Sequence, residues 1–379
     1  MKNKLLNFIS FLIMLVLIAG LVFFGWILYK ALFDADTDKV ETAHTSSSLL
    51  SVDDGSTEVT TDKTEKRSFT ETIADLFTTQ EEEEINYTAE SSVGKYFYEQ
   101  LSENQKIIYN GLQANKDNMT SGTTTIQFGS KFSDILEDEN GSKTLGDDYQ
   151  SAIEAFTHDN PDFFYVDITK LYLNIETKKR ALRTTYNVYL APQEGSTYFA
   201  KGFKSKSDVE VAKAKIESVK SKVKAKLTGN RYKDIKIIHD YLIENIEYDQ
   251  NYTSNGTYTI YGAFVDKKCV CDGYTKAFKC LADMAGIDCL IMQGTATNSN
   301  GQTESHAWNT VSIDNKWYLL DTTWDDPIII GTGFISSSVH YKYFLKGTNV
   351  FYKDHVLETK FSDNGKNFTY PQISTLDYK

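Results

Sequence analysis

Four cysteines, Cys269, Cys271, Cys280 and Cys289, fall within 21 residues of this chain. Metal binding and nucleophilic attack compete to explain them. A structural zinc site favours cysteines two to four residues apart, or histidines at similarly short spacing. Here one residue separates the first pair, and the next two intervals are nine and nine. That spacing predicts no metal site. Val270-Cys271-Asp272-Gly273-Tyr274 instead opens a helical pattern through Thr275, Ala277, Phe278, Cys280, Leu281 and Met284, with Gly286 placed to stop it. Cys271 then stands at a helix N-terminus. Free N–H groups and the positive end of the helix dipole favour a thiolate there and can donate to an oxyanion. Cys280 reads as a small buried hydrophobe, and Cys289 opens a strand over 289–293. Outside the cytoplasm these two thiols could also pair as a disulfide. A helix-start cysteine alone fits a structural thiol as well as a nucleophile.

A base and its orienter lie downstream. Segments 305–313 and 316–324 read as two strands joined at Asp314-Asn315. A two-residue turn there sets Trp308 opposite Asp321 and His306 opposite Thr323. His306 and Asp321 then share one sheet face as diagonal neighbours, and a slip of one residue would separate them. An imidazole can take the thiol proton and return it to a leaving amine, and a carboxylate can hold the ring in the required tautomer. Trp308, on the same face, is placed to shelter the site and stack on the ring. The other histidines lack such a setting. His44 lies in an acidic stretch, and His158 stands beside a turn. His239 precedes Asp240 on a helix and reads as a packing or capping residue. His340 and His355 lie in the tail, with no local pattern tying either to the site.

In combination and order, these residues resemble the transglutaminase-like superfamily over roughly 261–327. The resemblance rests on Tyr261-Gly262-Ala263, Val270-Cys271-Asp272-Gly273-Tyr274, Ala285-Gly286-Ile287, His306-Ala307-Trp308-Asn309 and Trp317-Tyr318, followed by Asp321-Thr322-Thr323-Trp324-Asp325-Asp326-Pro327. It implies an α+β, papain-like core with the cysteine on a central helix and the histidine and aspartate on an antiparallel sheet. It also implies Cys271, His306 and Asp321 as the triad, with Tyr261 as an assistant to the oxyanion. Active members form a thioester acyl-enzyme on peptide or protein amides and pass it to water or to an amine. No calcium site is evident, and no metal or other cofactor is expected.

The elements around this core are legible in outline. From Phe8 to Tyr29 run 22 uncharged, mostly apolar residues, long enough to span a bilayer as a helix. Lys2 and Lys4 precede them and Asp34, Asp36 and Asp38 follow, which predicts a single-pass anchor (1–33) with the rest of the chain outside the cytoplasm. Residues 34–92 hold sixteen Asp/Glu and four Lys/Arg, so most of the net charge of −12 sits there. That composition predicts a disordered acidic stalk, and the charge argues against a nucleic-acid partner. Residues 93–230 form an N-terminal α+β extension. Within it Ser102 and Gln105 make a capping box that opens a helix through Leu112, a short helix covers 149–156, and a hairpin joins 171–176 to 183–190. Helices over 208–227 and 233–245 follow, and 231–379 is the catalytic domain. The expected partners are a protein or peptide substrate and the membrane. The alternative from another class is a surface adhesion module that keeps the fold without turnover.

Overall fold

The computed structural model describes residues 39–45, 58–61, 85–87, 95–180, 183–326 and 339–379, the first two segments by backbone alone. In chain order the first elements are β1 (Lys39–Thr45), β2 (Glu58–Thr61), α1 (Glu103–Asn115), β3 (Ile126–Gly129), α2 (Ser133–Leu136), α3 (Gly141–Asp159), β4 (Tyr172–Arg180) and β5 (Arg183–Ala191). There follow α4 (Lys206–Lys224), α5 (Arg231–Asn245), β6 (Glu247–Tyr248), β7 (Lys268–Cys269), α6 (Cys271–Met284), β8 (Cys289–Thr297), β9 (Thr303–Ile313), β10 (Lys316–Leu320), α7 (Thr348–Phe351) and β11 (His355–Glu358).

The N-terminal extension packs α1 and α3 beside a five-stranded sheet ordered β2-β1-β4-β5-β3. The capping box forms as expected: Ser102 accepts from the N–H of Gln105, and the Gln105 side chain returns the bond to the N–H of Ser102. Helix α3 buries Leu145, Tyr149, Ala152, Ile153 and Phe156 and starts at Gly141, eight residues before the expected start. Close packing requires glycine at that start, because a Cβ on Gly141 would stand 2.1 Å from the Ile135 carbonyl oxygen. Two pieces of the expected stalk are strands instead. β1 runs antiparallel to β4, with Thr42 facing Glu176, and β2 runs antiparallel to β1. Main-chain pairing on a sheet edge does not require the apolar content that a separate fold would need. The membrane-spanning helix expected in 1–33 lies outside the described residues. Among the described residues, no helix is long and apolar enough to cross a membrane.

In the C-terminal part, α6 packs across β8 and β9 of a four-stranded antiparallel sheet ordered β10-β9-β8-β11. This is the α+β arrangement expected for the core. One hydrophobic cluster runs from Phe97 through α3, α5 and α6 to Phe368, so both halves share a core. The C-terminal segment closes the contact. Phe368 meets Phe97 edge-on at 5.4 Å, and the Gln100 side chain accepts from the N–H of Thr369 at 2.8 Å.

Candidate active site

Helix α6 begins at Cys271, after a Val270 N-cap that offers no side-chain hydrogen bond. A short parallel pair, β6 with β7, delivers the chain to that point, and the Val270 N–H donates to the Thr257 carbonyl at 3.0 Å. Asp249 holds the preceding loop by accepting from the N–H groups of Thr253 and Ser254 and from the Thr257 hydroxyl. Gly273 is demanded by packing, since a Cβ there would lie 2.4 Å from Cβ of Cys269 and 2.7 Å from its Sγ. Deeper in the helix, the buried Asn309 side chain donates to the carbonyls of Thr275 (3.1 Å) and Leu290 (3.3 Å), tying α6 to β8 and β9.

The hairpin holds the expected register. Ile313 faces Lys316 and Asn309 faces Leu320, and Asp314 and Asn315 take φ of 50° and 60°, as a type I′ turn requires. β10 stops at Leu320, short of the expected 324. Asp321 ends it by accepting at Oδ1 from the N–H groups of Thr323 (2.9 Å) and Trp324 (3.1 Å). Oδ2 of Asp321 lies 2.8 Å from Nε2 of His306. A carboxylate only accepts, so this nitrogen carries the proton and Nδ1 is left free of Asp321, with Cys271 near enough to raise the ring's affinity for a proton.

Burial pushes the His306 imidazole down, but the Asp321 charge outweighs it, and with Cys271 it lifts the ring to about 10. Burial opposes the Asp321 charge as well, yet His306 and then His355 hold that carboxyl well below its usual range. The other thiols differ in kind. All four cysteines are free, so Cys280 and Cys289 are not paired. Burial pushes Cys269 and Cys289 well up, and Cys280 to about 12.

Of the supporting residues expected from the sequence, Trp308 is buried beside His306, with ring centroids 6.3 Å apart and planes at 30°. Trp324 comes closer, at 5.2 Å. Tyr261 is not brought to Cys271. It stacks on Phe164 and meets Phe203 edge-on at 5.1 Å, because the chain turns through a π-helical turn at Gly262–Asp266 before reaching the thiol. Burial raises the hydroxyls of Tyr248 and Tyr258 above the usual range, with Cys271 among the further causes.

Two histidines join the site unannounced by local pattern. His355, on edge strand β11, places Nε2 at 3.3 Å from Oδ2 of Asp321. His239 on α5 places Nε2 at 3.1 Å from Oδ2 of Asp325, whose Oδ1 accepts from the Tyr343 N–H at 2.8 Å. Next to it, Asp326 accepts from the Tyr274 hydroxyl at 2.5 Å. The segment carrying Asp321 is thus pinned to α5 through Asp325 and to α6 through Asp326. Ligand atoms of His306, Asp321 and His355 also lie within 4.8 Å of one another, the convergence a metal ion would use.

Comparison with known proteins finds similarity in the part of the chain that carries Cys271 and His306. Residues 217–322 match the family model of the transglutaminase-like superfamily. The kyphoscoliosis peptidases of Mus musculus and Homo sapiens are each 29% identical over 102 residues, which is 25% of this chain and 15% of theirs. The chain therefore spans under a sixth of the length of those relatives. Among solved structures, a TGase is 17% identical with a TM-score of 0.28, covering 45% of this chain and 48% of that one. A putative cysteine protease from Cytophaga hutchinsonii is 16% identical with a TM-score of 0.25, covering 41% and 58%. The similarity to the transglutaminase-like superfamily thus lies over residues 217–322 of this chain.

Proposed function

We propose that the protein is a cysteine acyl-transfer enzyme acting on peptide or protein amides, with Cys271 as nucleophile, His306 as general base and acid, and Asp321 as orienter. The observation that carries this reading is the 2.8 Å contact of His306 with Asp321, beside a cysteine at the N-terminus of α6 that raises the His306 ring. His306 takes the thiol proton, and Sγ adds to the amide carbonyl carbon. The oxygen that becomes negative faces the first turn of α6, whose N–H groups and dipole stabilise it. Collapse breaks the C–N bond, and the amine leaves with the proton returned by His306. The thioester then passes to water, as in a peptidase or amidase, or to a primary amine, as in a transglutaminase. The apolar run from Phe8 to Tyr29 supports an anchored enzyme whose domain faces outward.

The test is incubation with a glutamine-containing protein and a labelled primary amine, with Cys271→Ala as control. Label incorporation means transfer. Ammonia release or cleavage without label means hydrolysis. Activity equal to the control in every arm overturns the assignment. Accessibility of intact cells to a membrane-impermeant lysine reagent tests the outward-facing arrangement, which fails if the domain is protected.

A further inference from the structure

Asp321 is asked to do more than a triad carboxylate needs. Its Oδ1 is filled by two backbone N–H groups, and its Oδ2 is shared by two imidazoles, His306 at 2.8 Å and His355 at 3.3 Å. The second ring is itself held. Nδ1 of His355 lies 2.8 Å from Oδ1 of Asp354, and Oδ2 of Asp354 accepts from the Tyr343 hydroxyl at 2.7 Å. The Asp354 carbonyl accepts from the Thr297 N–H at 2.8 Å, fixing the start of β11 against β8. Phe351, Trp324, Trp308 and Tyr343 enclose the ring, with centroids from 4.1 to 5.3 Å away.

Such a pocket would accept a phenyl ring at lower cost. Burying an imidazole and a carboxylate in aromatic surroundings is unfavourable unless both are hydrogen-bonded. Both ring nitrogens of His355 face carboxylate oxygens, Nδ1 that of Asp354 and Nε2 that of Asp321. Asp354 therefore fixes the orientation of His355, and His355 fixes Oδ2 of Asp321 from the side away from His306.

We propose that His355, backed by Asp354, is a positioning residue: it clamps the Asp321 carboxylate so that His306 presents Nδ1 to Cys271. The role rests on the acyl-transfer reading above. Losing the clamp leaves all three triad residues in place and Oδ1 of Asp321 held by its two N–H groups, but leaves Oδ2 with His306 as its one ring partner among those named.

The test compares the full chain with His355→Phe, which fills the pocket without a donor, His355→Gln, which restores a donor near Nε2, and Asp354→Asn. Two quantities are read at neutral pH: the rate of Cys271 alkylation by iodoacetamide, and the downfield Nε2–H resonance of His306 in histidine-labelled protein. His355→Phe should slow alkylation by about 10- to 100-fold, the scale of a misplaced reacting group, and lose the resonance. His355→Gln should recover both, and Asp354→Asn should fall between. Wild-type behaviour of His355→Phe in both readouts overturns the clamp. So does a His355→Gln variant as impaired as His355→Phe, because that assigns the histidine to packing alone. If wild-type Cys271 reacts no faster than a free thiol, the acyl-transfer reading fails instead, and the resonance still decides the clamp.

Discussion

Asp321 stands one residue beyond the last strand pair, Leu320 with Asn309, yet its Oδ2 lies 2.8 Å from Nε2 of His306. The sheet alone does not deliver this contact. The carboxylate is turned into place by the N–H groups of Thr323 and Trp324, and the segment behind it is pinned by His239 on Asp325 and Tyr274 on Asp326.

Replacing Asp321 by Asn keeps the shape and lets the ring flip its tautomer. Cys271-dependent turnover should fall by several orders of magnitude, up to about 10⁴-fold as in related triads. Amine incorporation or ammonia release by Asp321→Asn at the wild-type rate would remove Asp321 from the mechanism.

The same pair gives stability a defined pH dependence. His306 is raised to about 10, so its contribution is complete below its unfolded value of about 6.5 and is lost as pH rises toward 10. Asp321 is lowered, so its contribution is complete above about 4 and is lost as pH falls further. Both act between roughly pH 4 and 6.5. Thermal melts of Asp321→Asn should show the largest deficit in that window and a shrinking one toward pH 10. A deficit that grows from pH 6 to pH 10 contradicts the pairing.

At the start of α6 the prediction is steric. Gly273→Ala sets a methyl group against Cys269 and within 3.0 Å of the Thr257 carbonyl oxygen. Overpacking of this kind costs about 1–3 kcal/mol, and here it displaces the first helical turn. Urea unfolding should show that loss, and Cys271 alkylation should slow with it. A variant as stable and as reactive as the parent would mean that the close approach of Gly273 and Cys269 is dispensable.

Glu154 carries a pH effect of opposite origin. Its Oε1 accepts from Gln150 and Ser362, while buried Oε2 has no hydrogen-bond partner among the described residues. Burial pushes this carboxyl up to about 7 against the pull of Ser362, Gln150 and Lys360. The folded state therefore holds the proton more tightly than the unfolded chain, and stability falls as pH rises from about 4.5 to 7. Glu154→Gln removes the penalty. It should melt with the parent at pH 4 and a few degrees above it at pH 8, where roughly 2–4 °C corresponds to 1 kcal/mol. Equal melting temperatures at pH 8 would show that the carboxylate is solvated after all.

What could be read from the chain was local. The Ser102–Gln105 box, the Cys271 helix and its stop at Gly286, and the register of the hairpin follow from neighbours within a few residues. What escaped was non-local. His355 reaches Asp321 through an edge strand that pairs with β8, and no spacing between 321 and 355 announces it. Strands β1 and β2 pair through the main chain on an edge supplied by β4, which acidic composition hides. Tyr261 failed differently. Its position before the cysteine suggested proximity, but the turn over Gly262–Asp266 carries its ring toward Phe164 and Phe203.

The type I′ turn at Asp314-Asn315 has a consequence for how active relatives should be recognised. His306 and Asp321 are fifteen residues apart, and the two-residue turn between them acts as a ruler for that interval. A homologue with one residue inserted there would keep every motif while carrying its aspartate out of step with the histidine. On the proposed chemistry, the length of this hairpin should therefore be inherited with the histidine and aspartate, and the interval between the two side chains should mark active relatives in a way that their presence alone does not.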